Sequence, residues 1–326
     1  MHLKPASVEE LAKLIADAHA RVEKVSSFDL SALNRLLEHK AEDMTATVEA
    51  GMTLAEFQQR LATHRQWLPI DPPNADQLTV GALLATNASG PRRFGYGTVR
   101  DYVIRVKAVL ADGRLIHSGS KVVKNVAGYD LMKLFIGSRG SLGIIVEVTF
   151  KLRPLPETEA FAMARCDSLE KADKLIEAVL NSDLMPMVLD LHNLPPGTGP
   201  FTLVLGFAGT RQEVEWQMAG AAELGFGERT SLDYDQSIGA ANLTRKTSGL
   251  PSKTISVIRR LNGAPCVVRV GNGIIYHGGT SPGTKPDLPE SSEPHEQAGT
   301  DSGAPKLAQR LKDEFDPKHI LPELPL

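Results

Sequence analysis

The chain is poor in cysteine and in aromatic residues, and neither sign of charge dominates. Its 326 residues hold two cysteines, Cys166 and Cys266, far apart in sequence. That excludes a disulfide-rich scaffold and a C-x-x-C metal or redox pair, and predicts two reduced, partly buried thiols. A formal net charge of -3 and a sequence pI of about 6.3 argue against a dedicated nucleic-acid binder, which would be markedly basic. No apolar run approaches the roughly 18 residues of a membrane span. No apolar stretch follows the charge of Met1–Pro5, so no signal peptide is expected. A cytoplasmic location is expected, compatible with a peripheral seat on a membrane complex. Glycine is unevenly spread: of 28 in the chain, none lies between Met1 and Gly51. There is no P-loop, and Gly137–Gly143 is not a Rossmann fingerprint. Its spacing is G-x-x-G-x-x-G and it precedes a strand rather than a helix.

What is present reads as a soluble globular protein, 42% hydrophobic and 23% charged, long enough for two or three packed domains. Ser7-Val8-Glu9-Glu10 is a capping box, followed by Val8, Leu11, Leu14, Ile15 and Ala18 at helical spacing. A strand is expected at 45–50, and a helix opened by Thr53-Leu54-Ala55-Glu56 with Leu54, Phe57 and Leu61 on one face. Residues 102–111 read as a strand that turns at Asp112-Gly113 and returns through Leu115 and Ile116. Alternation over 145–152 predicts a half-buried strand, ended by Arg153-Pro154-Leu155-Pro156 at a domain boundary. The second half reads as a strand near 159–165, a helix over 168–181, strands near 186–193 and 201–207, and a helix from Thr210 to about 224. The order fits a split-βαβ, ferredoxin-like unit. Asn262-Gly263 predicts a hairpin between strands at 255–261 and 265–270. Residues 279–305 are rich in Gly, Pro, Ser, Thr and Glu and read as a flexible linker before a short helix near 305–315.

Three blocks carry candidate chemistry. Residues 69–101 gather small residues (Gly81, Ala82, Ala85, Ala88, Ser89, Gly90, Gly95, Gly97) that let a backbone approach a ligand, with Thr79, Asn87 and Ser89 offering polar contacts. A turn-rich surface loop would have the same composition. The turn Gly137-Ser138-Arg139-Gly140-Ser141-Leu142-Gly143 could offer backbone contacts to a nucleotide, or simply be a tight connection. Lys121-Val122-Val123-Lys124-Asn125-Val126-Ala127-Gly128-Tyr129-Asp130-Leu131 could line a ligand site or form a solvated loop.

Taken together, residues 78–101, 118–135 and 137–147 resemble the FAD-binding domain of the vanillyl-alcohol-oxidase superfamily, the PCMH-type FAD-binding oxidoreductases. The lysine-bearing KVVKNVAGYDL is similar to the E subunit of bacterial glycolate oxidase more than to its D subunit or to D-lactate dehydrogenases. The resemblance implies an α+β fold: a two-subdomain PCMH-type FAD-binding domain over 1–156, then a smaller ferredoxin-like cap over 157–278. A linker at 279–304 and a C-terminal helix and tail at 305–326 would complete the chain. It implies non-covalent FAD along Pro72, Thr79, Val80, Gly81, Asn87, Ala88, Ser89 and Gly90, with Tyr96 and Gly97 nearby and Gly143, Ile144 and Ile145 at the nucleotide half. It also implies partners: a catalytic flavoprotein D-type subunit and an iron–sulfur F-type subunit.

The sequence departs from that family in three places. Its Gly-rich pyrophosphate loop after the first helix is missing: Arg21–Val25 runs straight into Ser26–Leu30. Loss of several charge-assisted hydrogen bonds, each about 1.5–3 kcal/mol, would weaken FAD binding. The stretch Arg269–His277 holds His277 alone where 2-hydroxyacid-oxidising relatives carry a histidine-rich metal site. The closing segment has Pro322-Glu323-Leu324 in place of Asn-Pro-Gly. Three functions are consistent with this: a flavin-binding subunit of a glycolate (2-hydroxyacid) oxidase, a scaffold subunit with weak or lost FAD binding, and a self-sufficient 2-hydroxyacid dehydrogenase. The last would need an arginine clamp, for which Arg92, Arg93 and Arg100 are available.

Overall fold

The computed structural model describes residues 1–119, 131–194, 201–278 and 303–324. The block Lys121–Asp130 and nearly all of the expected linker lie outside the described residues. The first helix, Val8–Arg21, starts as its capping box predicts. Ser7 Oγ accepts from the Glu10 N–H, and the Glu10 carboxylate accepts from the Ala6 N–H. Its buried stripe of Leu11, Ile15 and Ala18 packs on Val109, Ala111, Ile144 and Val146. The helix stops at Val22, in the left-handed region at φ 55. The chain then needs only residues 22–26 to reach the strand Ser27–Phe28, which pairs in parallel with His2–Leu3. These five residues, none of them glycine, are all that separates this helix from the strand that follows it.

An antiparallel five-stranded sheet follows, in the order Leu36–Lys40, Thr45–Glu49, Ile144–Lys151, Val103–Val109, Leu115–Gly119. The expectation of a half-buried strand at 145–152 is corrected: Ile144–Lys151 is covered on both faces. A register shift pairs Lys107 with Glu147 but Ala108 with Ile145 and leaves Val146 out of the ladder. Strict alternation therefore breaks there. Ile145, Val148 and Phe150 join the core beneath the helices Leu54–Ala62 and Val80–Thr86, while Ile144 and Val146 face Val8–Arg21.

The second sheet has seven strands. Four of them, Glu228–Arg229, Thr158–Cys166, Phe201–Gly209 and Val188–His192, lie in the antiparallel ferredoxin-like order with helices Leu169–Leu180 and Arg211–Glu223 in the connections. Both helices begin at the hydroxyls the sequence offers, Ser168 and Thr210; Thr210 forms a full capping box with Glu213. Cys266–Arg269, Ile274–His277 and Arg245–Ser248 extend the sheet. Residues 255–261 are not a strand: Thr254–Arg260 is a helix, and Asn262 and Gly263, both at positive φ, form the turn after it. Thr254, Ile258 and Leu261 are the buried positions, at helical spacing, so burial of one helical face overrides the β-preference of Ile and Val. The hairpin lies further on, where the short helical turn Val270–Asn272 joins Cys266–Arg269 to Ile274–His277. Cys166 and Cys266 are free thiols inside this core, and burial pushes the Cys266 thiol up to about 12.

The closing helix Gly303–Phe315 and its tail return to the first domain. Lys312, 1% exposed, donates to the Asp316 carboxylate and to the carbonyls of Ser141, Leu321 and Pro322. Phe315 packs edge-on against Phe135, and the Ile320 carbonyl accepts from the Val25 N–H.

Candidate functional site

Two of the glycine-rich blocks meet. The helix Val80–Thr86 is held at its start by strand-end backbone: the Val80 and Gly81 N–H groups donate to the Met52 and Ala50 carbonyls, and Thr79 Oγ1 caps the Ala82 N–H. The helix ends at Asn87 in the left-handed conformation, φ 48. The turn 137–143 docks on that end: the Gly137 N–H donates to Leu84 O and the Arg139 N–H to Ala85 O, both at 2.9 Å. Gly137 itself has φ 90, and a Cβ there would meet only Asn87 Cβ, at 3.9 Å, so the backbone is open on that side. Lys312 clasps the same turn from behind at Ser141 O. The closing helix thus braces the turn.

The residues expected along the cofactor have distinct surroundings. Asn87 carries a buried Oδ1 with no hydrogen-bond partner among the described residues. Ser89 Oγ accepts from Arg93 Nη1 at 3.2 Å. Gly81 and Gly90 are small for reasons inside the protein: added Cβ atoms would lie 3.0 Å from Ala50 O and 1.9 Å from Asp71 O. Val80 is fully buried and Ala88 packs against the same core. Tyr96 stacks edge-on with Trp67, its carbonyl accepts from the Tyr102 hydroxyl, and Gly97 at φ 83 leaves room for the Asp101 carboxylate. Ile144 and Ile145 point to opposite sides of their strand, and Gly143 abuts the Phe135 ring. Pro72 lines a cavity of about 920 Å³ between the loop 70–76, the helix Leu54–Ala62 and the helix Asp233–Ala240 of the second sheet.

Arg92, one of the arginines available for a clamp, borders that cavity together with Asp71 and Asp235, which the sequence did not single out. Arg92 donates to Asp71 and, in a two-pronged contact, to Glu159. Deeper in, Arg269 pairs with Asp190 and Asp235, and the Tyr234 hydroxyl also donates to Asp190. Burial, opposed by Arg92 and Arg269, raises Asp71 to about 7. Burial likewise raises Asp190 to about 6 against the pull of Arg269 and Tyr234. His192, stacked on Tyr234, is pushed down to about 4 by burial and is neutral. His277 is half a sheet pair, with Nε2 at 3.1 Å from Thr247 Oγ1.

The residues at the junction fit a flavin dinucleotide on one side. Among the described residues, an amide oxygen without a partner, an open glycine backbone and two cations without an acid partner (Arg93, Arg139) are gathered where the two blocks meet. On the other side, the link 22–26 offers no glycine-rich cradle. The fold is that of PCMH-type flavin oxidoreductases, an α+β FAD-binding unit followed by a ferredoxin-like sheet, and residues 18–119 match the FAD binding domain family. That match indicates FAD as the cofactor. Two solved structures of alkyldihydroxyacetonephosphate synthase superpose with TM-scores of 0.71 and 0.73 over 98% of this chain and 75% of theirs, at 16% and 15% identity, which shows the fold alone.

Among curated proteins, the glycolate oxidase subunit GlcD of Bacillus subtilis is 36% identical over 163 residues, 50% of this chain and 35% of that protein. The D-lactate dehydrogenase of Archaeoglobus fulgidus is 38% identical over 155 residues, 47% of this chain and 34% of that protein. The glycolate oxidase subunit GlcE of Escherichia coli is 32% identical over 147 residues, 45% of this chain and 42% of that protein. These matches support placing the chain in the PCMH-type FAD-binding oxidoreductase family; it spans well under half the length of these relatives. No helix among the described residues is long and apolar enough to cross a membrane.

Proposed function

We propose that the chain is a flavin-binding subunit of a 2-hydroxyacid oxidase of the glycolate oxidase type. In this reading it is the E-type member, working with a catalytic D-type flavoprotein and an iron–sulfur F-type subunit. The observation that carries the reading is the docking of the turn 137–143 on the helix end at Asn87, which brings both glycine-rich blocks to one surface. Similarity to relatives named GlcD and GlcE supports the substrate class and the multi-subunit setting.

FAD supplies the electron-accepting chemistry, and the chain supplies binding and orientation. Asn87 and Ser89 would give side-chain contacts. Thr79, Val80, Gly81, Ala88 and Gly90 would shape the wall behind them, Pro72, Tyr96 and Gly97 the rim, and Gly143, Ile144 and Ile145 the nucleotide end. Both cysteines are enclosed in the second sheet's core, and we propose non-covalent retention. The domain division falls near 156, between the two sheets. The first test is the visible spectrum of the purified chain with and without added FAD. Flavin bands that co-purify, or appear on titration, support this function. The short link 22–26 favours a second reading, a scaffold subunit without flavin. A colourless chain that ignores FAD, alone and beside its partners, would establish that one.

A further inference from the structure

Arg93 and Arg139 stand beside Asn87 with no acid paired to them among the described residues, and Lys246 feels the field of both. Among the described residues, Arg139 and Lys246 make no side-chain hydrogen bond or ion pair, and Arg93 reaches only the Ser89 hydroxyl. The acid whose field Arg93 feels, Asp101, is committed to the Thr98 N–H and hydroxyl. The three come from separate elements. Arg93 begins the short helix Arg93–Tyr96, which is fixed to the second sheet by the Gly95 N–H on Met187 O and by Phe94 pressed on Gly271. Arg139 stands on the turn docked beside Asn87. Lys246 lies on the sheet's edge strand Arg245–Ser248, paired with Tyr276 in the register. Although Lys246 reaches solvent, the atoms crowding it and then the fields of Arg93 and Arg139 push its ammonium below the usual lysine range. Like charges assembled across a domain junction repel, and a bound anion relieves them.

We infer that Arg93, Arg139 and Lys246 form an anion site that holds the diphosphate of FAD, substituting side-chain charge for the absent glycine-rich loop. Two guanidinium forks and an ammonium suit phosphate oxygens, which accept several directional hydrogen bonds. Arg93 and Arg139 border Asn87 and the open Gly137 backbone, where the dinucleotide is proposed to lie, while the link 22–26 contains no glycine. This inference rests on the FAD reading above.

The test measures FAD binding calorimetrically for the full chain and for Arg93→Gln, Arg139→Glu and Lys246→Glu, with inorganic pyrophosphate and glycolate as competitors. Arg139 and Lys246 are exposed, so their variants should unfold at the wild-type temperature, which circular dichroism checks. The expected result is FAD binding by the wild type that pyrophosphate displaces and salt weakens, with each variant binding both FAD and pyrophosphate about tenfold or more weakly. Wild-type binding with unchanged variants would overturn the inference and leave the FAD reading standing. Variants that keep pyrophosphate but lose glycolate would also overturn it, assigning the cluster to a carboxylate. A wild type that binds no FAD removes the reading itself.

Discussion

Arg92 and Arg93 are adjacent in sequence and opposite in circumstance. Arg92 turns into the boundary between the sheets, where Asp71 and Glu159 hold it. Arg93 turns to the junction of the glycine-rich blocks and finds a single hydroxyl. The same contrast separates Arg269, 3% exposed between two aspartates, from Lys246 on the free edge of the same sheet. Charges that stabilise a fold are neutralised inside it. Charges left without a partner at a junction cost repulsion that a ligand can remove.

The sharpest break in this comparison is Arg269→Met. It strands Asp190 and Asp235 in a buried site, and an uncompensated buried charge should cost about 3–5 kcal/mol, read by urea denaturation. Arg92→Ala should cost less, about 1.5–3 kcal/mol, because its partners are partly hydrated. Thr210→Ala removes a full capping box and should cost about 1 kcal/mol. Arg93→Gln should leave stability within about 0.5 kcal/mol while weakening FAD binding. An Arg93 variant that unfolds as readily as Arg92→Ala would erase the distinction.

The acid-rich knot also sets a pH dependence. Asp71 and Asp190 have folded values, about 7 and about 6, above their ordinary value of 3.8. The native state therefore holds protons that the unfolded chain has released, and stability falls as pH rises. The loss begins near the ordinary carboxylate value and is complete above about 7. Asp71→Asn should flatten this slope. An unchanged melting-temperature profile in that variant would mean Asp71 does not carry it.

Where local rules act alone, the sequence was a sufficient guide. Ser7, Thr53, Ser168 and Thr210 start their helices because a hydroxyl satisfies an end amide whatever the surroundings. The order of strands and helices after Thr158 likewise spells out the ferredoxin-like unit. Residues 255–261 read as a strand because Ile255, Val257 and Ile258 suit one, and only the buried face decides for a helix. The bulge that skips Val146 was hidden for a similar reason: its pairing partners are remote in sequence. Gly81 and Gly90 were legible as close approaches, but the approaching atoms belong to Ala50 and Asp71.

The sequence by itself determined the FAD-binding resemblance, the α+β class and the absence of glycine before Gly51, since motif spacing and composition are properties of the chain. Tertiary structure alone decided which charges are spent and which remain. Asp71 meets Arg92, Asp190 meets Arg269 and Lys312 meets Ser141 across long stretches of chain. Neutralisation depends on distance and burial, and one-dimensional order encodes neither for residues brought together by two separate sheets.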